Sequence, residues 1–297
     1  MINANKNEVR MKAIRIIKYL LFSASIVPAL VAGAASFKHH QFTFSHFLLV
    51  SLALFIGQMG GDYLYYYFTS NHTDSDDSHT KIFKGWQPLG IDYFPQKKGG
   101  LIAGLVCITI DFLIGIFFFM THGWSIIIFA LIGLSLMIFF TPLMMIGLKE
   151  LVVFITFGPL SFISVGYILQ FEISLPVIAV SFPIGFLVTV VAYLKGAKFN
   201  LEKQNGEMKV VKLNKLLLYG ISLLAYISIV IGVVTNSLPI LSLIGLLTLP
   251  LSVSVMSVIK NQQSSIEDYL WATVKSLSNL LLTGILLGGA FIMDTTI

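Results

Sequence analysis

Charge is what this sequence has least of. Only 11% of its 297 residues are Asp, Glu, Lys or Arg, against about 25% in a water-soluble domain. So thin a supply of hydrated groups excludes an ordinary soluble fold. Cysteine is almost absent too: Cys107 stands alone within an apolar stretch, which excludes an intramolecular disulfide and a Cys-based metal site. Also missing is the alternation of apolar and polar residues over about ten positions that builds an outer-membrane barrel. The net charge of +5 does not point to nucleic acid. Its basic residues lie in short connections between apolar blocks, where a membrane explains them better than a polyanion does.

What the sequence has is apolar blocks. Hydrophobic residues make up 56% of it, in segments near 13–36, 46–69, 100–120, 124–146, 150–169, 174–195, 211–234, 238–259 and 270–293. About 20 such residues cross ~30 Å of hydrocarbon as a helix. The first segment follows Lys6, Arg10, Lys12, Arg15 and Lys18 but is too long for the core of a signal peptide, so it reads as a retained helix. All but one of the 19 Lys and Arg residues, Lys38, lie before the first segment or at every second boundary. Positive charge collects on the cytoplasmic side. The expectation is an all-α bundle of nine transmembrane helices in the cell membrane, N-terminus in and C-terminus out. It forms a single membrane domain over 1–297, and its two long connections, 70–99 and 196–210, cap a cytoplasm-facing site.

An ionisable group near the bilayer centre costs at least ~2.5 kcal/mol unless it meets protein or water, so Asp62, Asp111, Lys149 and Glu150 draw attention first. Asp62 ends the run Gln58-Met-Gly-Gly-Asp62, and Tyr63, Tyr65, Tyr66 and Tyr67 follow. The next connection carries Asp74, Asp76, Asp77 and His79. Carboxylates three or four residues apart share a helix face and can hold Mg²⁺, which bridges phosphate oxygens. The same loop also reads as a solvated acidic stretch, and the tyrosines as an interfacial belt. Asp111 reads as a polar contact between helices, and His39, His40, His46 and His122 as interface residues at the opposite end. Lys195, Lys198, Lys203, Lys209, Lys212 and Lys215 crowd the second long connection, where a basic loop facing an acidic one suits a diphosphate.

Three stretches resemble the UbiA superfamily of intramembrane prenyltransferases, most of all its 1,4-dihydroxy-2-naphthoate polyprenyltransferase branch of menaquinone biosynthesis. These are Ser23–Val31, Gly147–Leu160 (Gly-Leu-Lys-Glu-Leu-Val-Val-Phe-Ile-Thr-Phe-Gly-Pro-Leu) and Ser181–Thr189. The resemblance implies nine helices and transfer of a polyprenyl group from its diphosphate to an aromatic quinone precursor within the membrane. It implies Mg²⁺ between two Asp-rich motifs. At the first, Gln58, Asp62 and Tyr66 occupy the motif's spacing; at the second, Lys198 and Glu202 do, so one carboxylate survives in each and one position has reversed its charge. On this resemblance the metal set is Asp62, Asp74, Asp76, Asp77 and Glu202, and the diphosphate set Lys18, Lys198 and Lys203. Asp62, Lys149 and Glu150 are the catalytic candidates, with Gln58, Tyr63 and Tyr66 lining the acceptor or prenyl cavity. The same fold also suits a terpene cyclase, or a non-catalytic isoprenoid-binding protein serving an active paralogue as its membrane partner.

Overall fold

The computed structural model describes residues 20–69, 97–196, 201–204, 207–210, 214–259 and 266–294, with Ala13, Ile16 and Ile17. Helix α1 is Ser23–Ser36, α2 Phe44–Thr69, α3 Lys97–His122 and α4 Ser125–Met145. Helix α5, Lys149–Gln170, contains a π turn at Thr156–Leu160, and α6 is Leu175–Gly196. A hairpin of β1, Leu201–Gln204, and β2, Glu207–Val210, comes next, then α7, Lys215–Val234. A 3₁₀ stretch, Ile240–Thr248, leads into α8, Leu249–Ile259, and α9 is Ile266–Met293.

Among the described residues, seven helices are long and apolar enough to cross a membrane by length and composition. They are α2, α3, α5, α6, α7, the run Ile240–Ser257, and α9. Helix α1 and the first part of α4, Ser125–Phe140, are shorter apolar helices. Large apolar side chains stand exposed on the outside, among them Met120, Trp124, Val234 and Leu247. A belt of this kind suits a lipid surface. Helices α6 and α9 are the most buried, and Phe162, Ile184, Ile229, Leu277 and Leu280 fill the centre.

Glycine sets the two close helix contacts that fix how α2, α3, α5 and α6 sit together. A methyl group added at Gly60 of α2 would lie 3.1 Å from the Cys107 Cβ of α3, and one at Gly104 would lie 3.0 Å from Leu64. Small residues let the two backbones approach, as in membrane bundles generally. Where α5 meets α6 the approach is backbone to backbone: a Cβ at Gly158 would sit 3.1 Å from the Gly185 Cα, and a Cβ at Gly185 would sit 2.9 Å from the Gly158 Cα. Gly158 leaves helical geometry (φ −98°, ψ −111°) immediately before Pro159, which has no N–H to give the helix ladder. The π turn is the result, and both glycines fall in the stretches that carry the family resemblance.

Among the described residues the chain is helical apart from one short antiparallel pair, β1 with β2. The structure corrects two expectations. Lys97 belongs to α3 and not to the preceding loop. Lys275 lies inside α9, where its Nζ donates to Ser254 Oγ at 2.8 Å across the α8–α9 contact. A polar partner in the bundle lets a lysine sit at that depth. Residues 70–96 lie outside the described residues.

Candidate functional site

A cavity of about 760 Å³ runs between α1, α2, α3, α4, α5 and α6. Helix α2 gives it one face: Val50, Ala53, Leu54, Gly57, Gln58, Gly61, Asp62 and Tyr65, spaced three and four apart as one side of a helix must be. At 1.5 Å per residue that face is about 22 Å long. The walls are mostly apolar and rich in rings, with Phe112, Phe118 and Phe119 from α3, Phe129 and Phe140 from α4, and Phe157 from the π turn of α5. Tyr65 meets Phe140 edge-on, centroids 5.9 Å apart.

Charge gathers where α2 and α6 end and α5 begins. Lys195 Nζ, in the last turn of α6, lies 3.7 Å from Asp62 Oδ1. Lys149, the first residue of α5, donates from Nζ to the Ala192 carbonyl of α6 at 2.5 Å. A cation at a helix start opposes that helix's own dipole, but a C-terminal carbonyl of the neighbouring helix favours it. Gln58 reaches across to α1, its Nε2 donating to the Leu21 carbonyl at 3.1 Å. That carbonyl lies in the turn at Leu21-Phe22 before α1 begins and also accepts from the Ala24 N–H at 3.2 Å. Both partners of the Asp62–Lys195 pair are partly exposed, so it contributes roughly 0.2–1 kcal/mol. A phosphate oxygen can therefore compete for Lys195 at small cost. Among the lining residues at this mouth, Lys149 and Lys195 face the one carboxylate of Asp62, while Glu150 stands beside Lys149 outside the lining.

No protein-family model matches the chain, and no curated protein does. Among solved structures, that of a digeranylgeranylglyceryl phosphate synthase in membranes aligns over 98% of this chain and 100% of its own, at 15% identity and a TM-score of 0.49. Likeness at that level fixes neither activity nor substrate.

The structure brings together Gln58, Asp62 and Lys149 from the sequence expectations. Glu150 is half-buried in the first turn of α5 and is not among the cavity's lining residues; there it serves the positive end of the helix. Tyr63 and Tyr66 are corrections. Tyr63 is buried beside Cys107, and a methyl at Gly100 of α3 would lie 3.1 Å from the Tyr66 ring. Both therefore face α3 and not the cavity, because the helical phase that points Gln58, Asp62 and Tyr65 inward turns them away. Of the metal set, only Asp62 has a described side chain near the cavity. Asp74, Asp76 and Asp77 lie outside the described residues, as do Lys18 and Lys198. For Glu202 and Lys203 the description is of backbone only, opposite Lys209 and Met208 in the hairpin. Among the described residues no three His, Cys, Asp or Glu side chains converge as metal ligands. With Asp62 paired to Lys195, these residues do not by themselves fit Mg²⁺.

Sequence reasoning took Asp111 for a contact between helices and assigned Lys195 only to a basic loop; both line the cavity. The available signal was Asp111's place within a long apolar segment, where a charge needs a reason.

Proposed function

We propose that the protein transfers a prenyl group from a prenyl diphosphate to a lipid-soluble aromatic acceptor. One observation carries this reading: a long chamber walled by aromatic and aliphatic side chains ends in two lysines and a carboxylate. The isoprenoid tail occupies the apolar length, and its diphosphate takes the place of Asp62 on Lys195 and hydrogen-bonds Lys149. The two ammonium groups neutralise the leaving group, so the allylic C–O bond breaks with its electron pair on the diphosphate. The carbocation lies among the rings of Tyr65, Phe140 and Phe157, whose faces favour positive charge. A ring carbon of the acceptor supplies the new bond's electrons, and the proton it loses passes to Asp62. The alternating positions of the basic residues support placing this charged end on the cytoplasmic face, with the N-terminus in.

The test is pyrophosphate release by the purified protein from prenyl diphosphates of graded length, with Mg²⁺ or EDTA, and with or without 1,4-dihydroxy-2-naphthoate. Release that needs the acceptor, together with a prenylated product, supports transfer. Loss of release in EDTA would bring back the ligand set of Asp62 with Asp74, Asp76, Asp77 and Glu202. Release without acceptor and with a cyclised product would replace transfer by terpene cyclisation. A second reading, isoprenoid binding without ionisation, is favoured by the single described carboxylate at the mouth and its pairing with Lys195. No release from any substrate, with retained binding of the diphosphates, would establish it.

A further inference from the structure

We infer that Asp111, with Gln58 lining the same chamber from α2, recognises a hydrogen-bond-donating group, a hydroxyl or an amine, on the molecule that shares the chamber with the prenyl tail. This deepens the prenyl-transfer reading by naming the acceptor's class and assigning a specificity-determining residue to it. It rests on that reading only for the chamber's use as a substrate site.

Depth is the first consideration. Asp111 stands 14 residues after Lys97 and 11 before His122 in α3, or about 21 Å and 17 Å from the two helix ends. A carboxyl group there lies near the bilayer centre and must find a partner or be costly. Its own protein provides little. Asp111 Oδ1 is buried with no hydrogen-bond partner, and no described Lys, Arg or His pairs with it. Room has been left for it, since Gly57 of α2 faces it and a methyl group there would come within 3.0 Å of Oδ2. The carboxylate torsion is broad and two-fold, so either oxygen can turn toward the chamber.

The second is the sign of what is unfilled. Gln58, next to Gly57, has its amide nitrogen held by the Leu21 carbonyl, and its Oε1 is likewise buried without a partner. Three serine hydroxyls on the same walls are already used: Ser25 donates to Phe22 O, Ser161 to Thr156 O and Ser164 to Leu160 O. Thr156 Oγ1 can donate or accept, so the two buried groups left unpaired, Asp111 Oδ1 and Gln58 Oε1, set the preference, and both are acceptors. Buried polar groups left unpaired discriminate strongly against a ligand that cannot satisfy them. The occupant that fits carries O–H or N–H. Because Gly57 precedes Asp62 by five residues, this group sits about 8 Å deeper than the charged mouth. That separates the acceptor's polar group from the diphosphate while leaving both in one chamber.

The test uses the full chain in detergent, without prenyl diphosphate, and a probe pair differing only in the donor: 1-naphthol and 1-methoxynaphthalene. Equilibrium dialysis against protein-free micelles gives each affinity. Wild type should bind the naphthol about tenfold more tightly than the ether. Asp111→Leu should reduce that ratio to within about twofold of unity, and Asp111→Asn, which keeps a carbonyl acceptor, should hold it within about threefold of wild type. Gly57→Ala, which crowds the carboxylate, should lower the ratio and covers the case in which Asp111→Leu does not fold. A ratio near one in wild type, or an unchanged ratio in folded Asp111→Leu and in Gly57→Ala, overturns the inference. If pyrophosphate release fails in every arm but the ratio depends on Asp111, prenyl transfer falls and the recognition site stands. Transfer with a ratio indifferent to Asp111 does the reverse.

Discussion

Blocking the chamber part-way down tests whether it measures the prenyl chain. Gly115 of α3 lines the cavity, and a Cβ built on it has nothing within 4 Å, so a side chain can start there freely and Gly115→Trp adds a large ring at that level. The depths follow from helix geometry. Asp62 lies about 8 Å above the level of Gly57 and Asp111; Gly115 lies about 6 Å below Asp111, and Phe119 about 12 Å below it. The open chamber thus offers about 20 Å below the charged mouth, and the blocked one about 14 Å. Three extended backbone bonds span ~3.3–3.6 Å, so a four-bond isoprenoid unit spans ~4.5 Å. Wild type has room for about four units and the variant for about three. In a pyrophosphate-release assay the variant should keep its rate with the three-unit farnesyl diphosphate and lose at least tenfold with the four-unit geranylgeranyl diphosphate. Folding should not suffer, because replacing a helical glycine with a side-chain-bearing residue gains up to ~1 kcal/mol. Identical chain-length profiles in the two proteins would refute the reasoning. They would mean that the tail leaves sideways between α3 and α4, where Phe112 and Leu131 are 66% and 58% exposed.

Lys195→Met and Lys149→Met should each cut pyrophosphate release at least tenfold while leaving the thermal midpoint nearly unchanged for Lys195, since the pair it loses contributes roughly 0.2–1 kcal/mol. Gly158→Val or Gly185→Val drives a side chain into the opposing backbone, and overpacking of this kind costs about 1–3 kcal/mol; a thermal unfolding scan in detergent should show a clear fall, and no fall would contradict the α5–α6 contact. Tyr226→Phe removes the hydroxyl that joins Asn279 and Thr248 in the buried contact of α7, the 3₁₀ stretch and α9. Thr248 keeps its bonds to the Gly245 carbonyl and Thr283, but the Asn279 amide is left unsatisfied, which should cost about 1–3 kcal/mol of stability with little change in activity at saturating substrate.

Helix phase explains why the site was only partly legible in the sequence. Gln58 and Asp62 share a face in any helix, so their company could be read directly. Which face of α2 meets a cavity and which meets α3 depends on where Gly57, Gly60 and Gly104 let the two helices touch, and that sends Tyr63 and Tyr66 to the helix interface and Tyr65 inward. Asp111 read as a contact between helices because a lone carboxylate in an apolar segment gives no sign of what it faces. Lys195 read as one of a loop's many lysines, although α6 continues through it.

By itself the sequence determined that the chain is built mainly of apolar helices. Apolar blocks of about 20 residues can satisfy their backbone in hydrocarbon only as helices, and that constraint is local to each block. Only the tertiary structure decided the chamber. A cavity exists because six helices from distant parts of the chain fail to fill the space between them, and its chemistry comes from Lys149, Lys195, Asp62 and Asp111 meeting across α5, α6, α2 and α3. Their convergence depends on glycine contacts and on a π turn that only packing fixes in place.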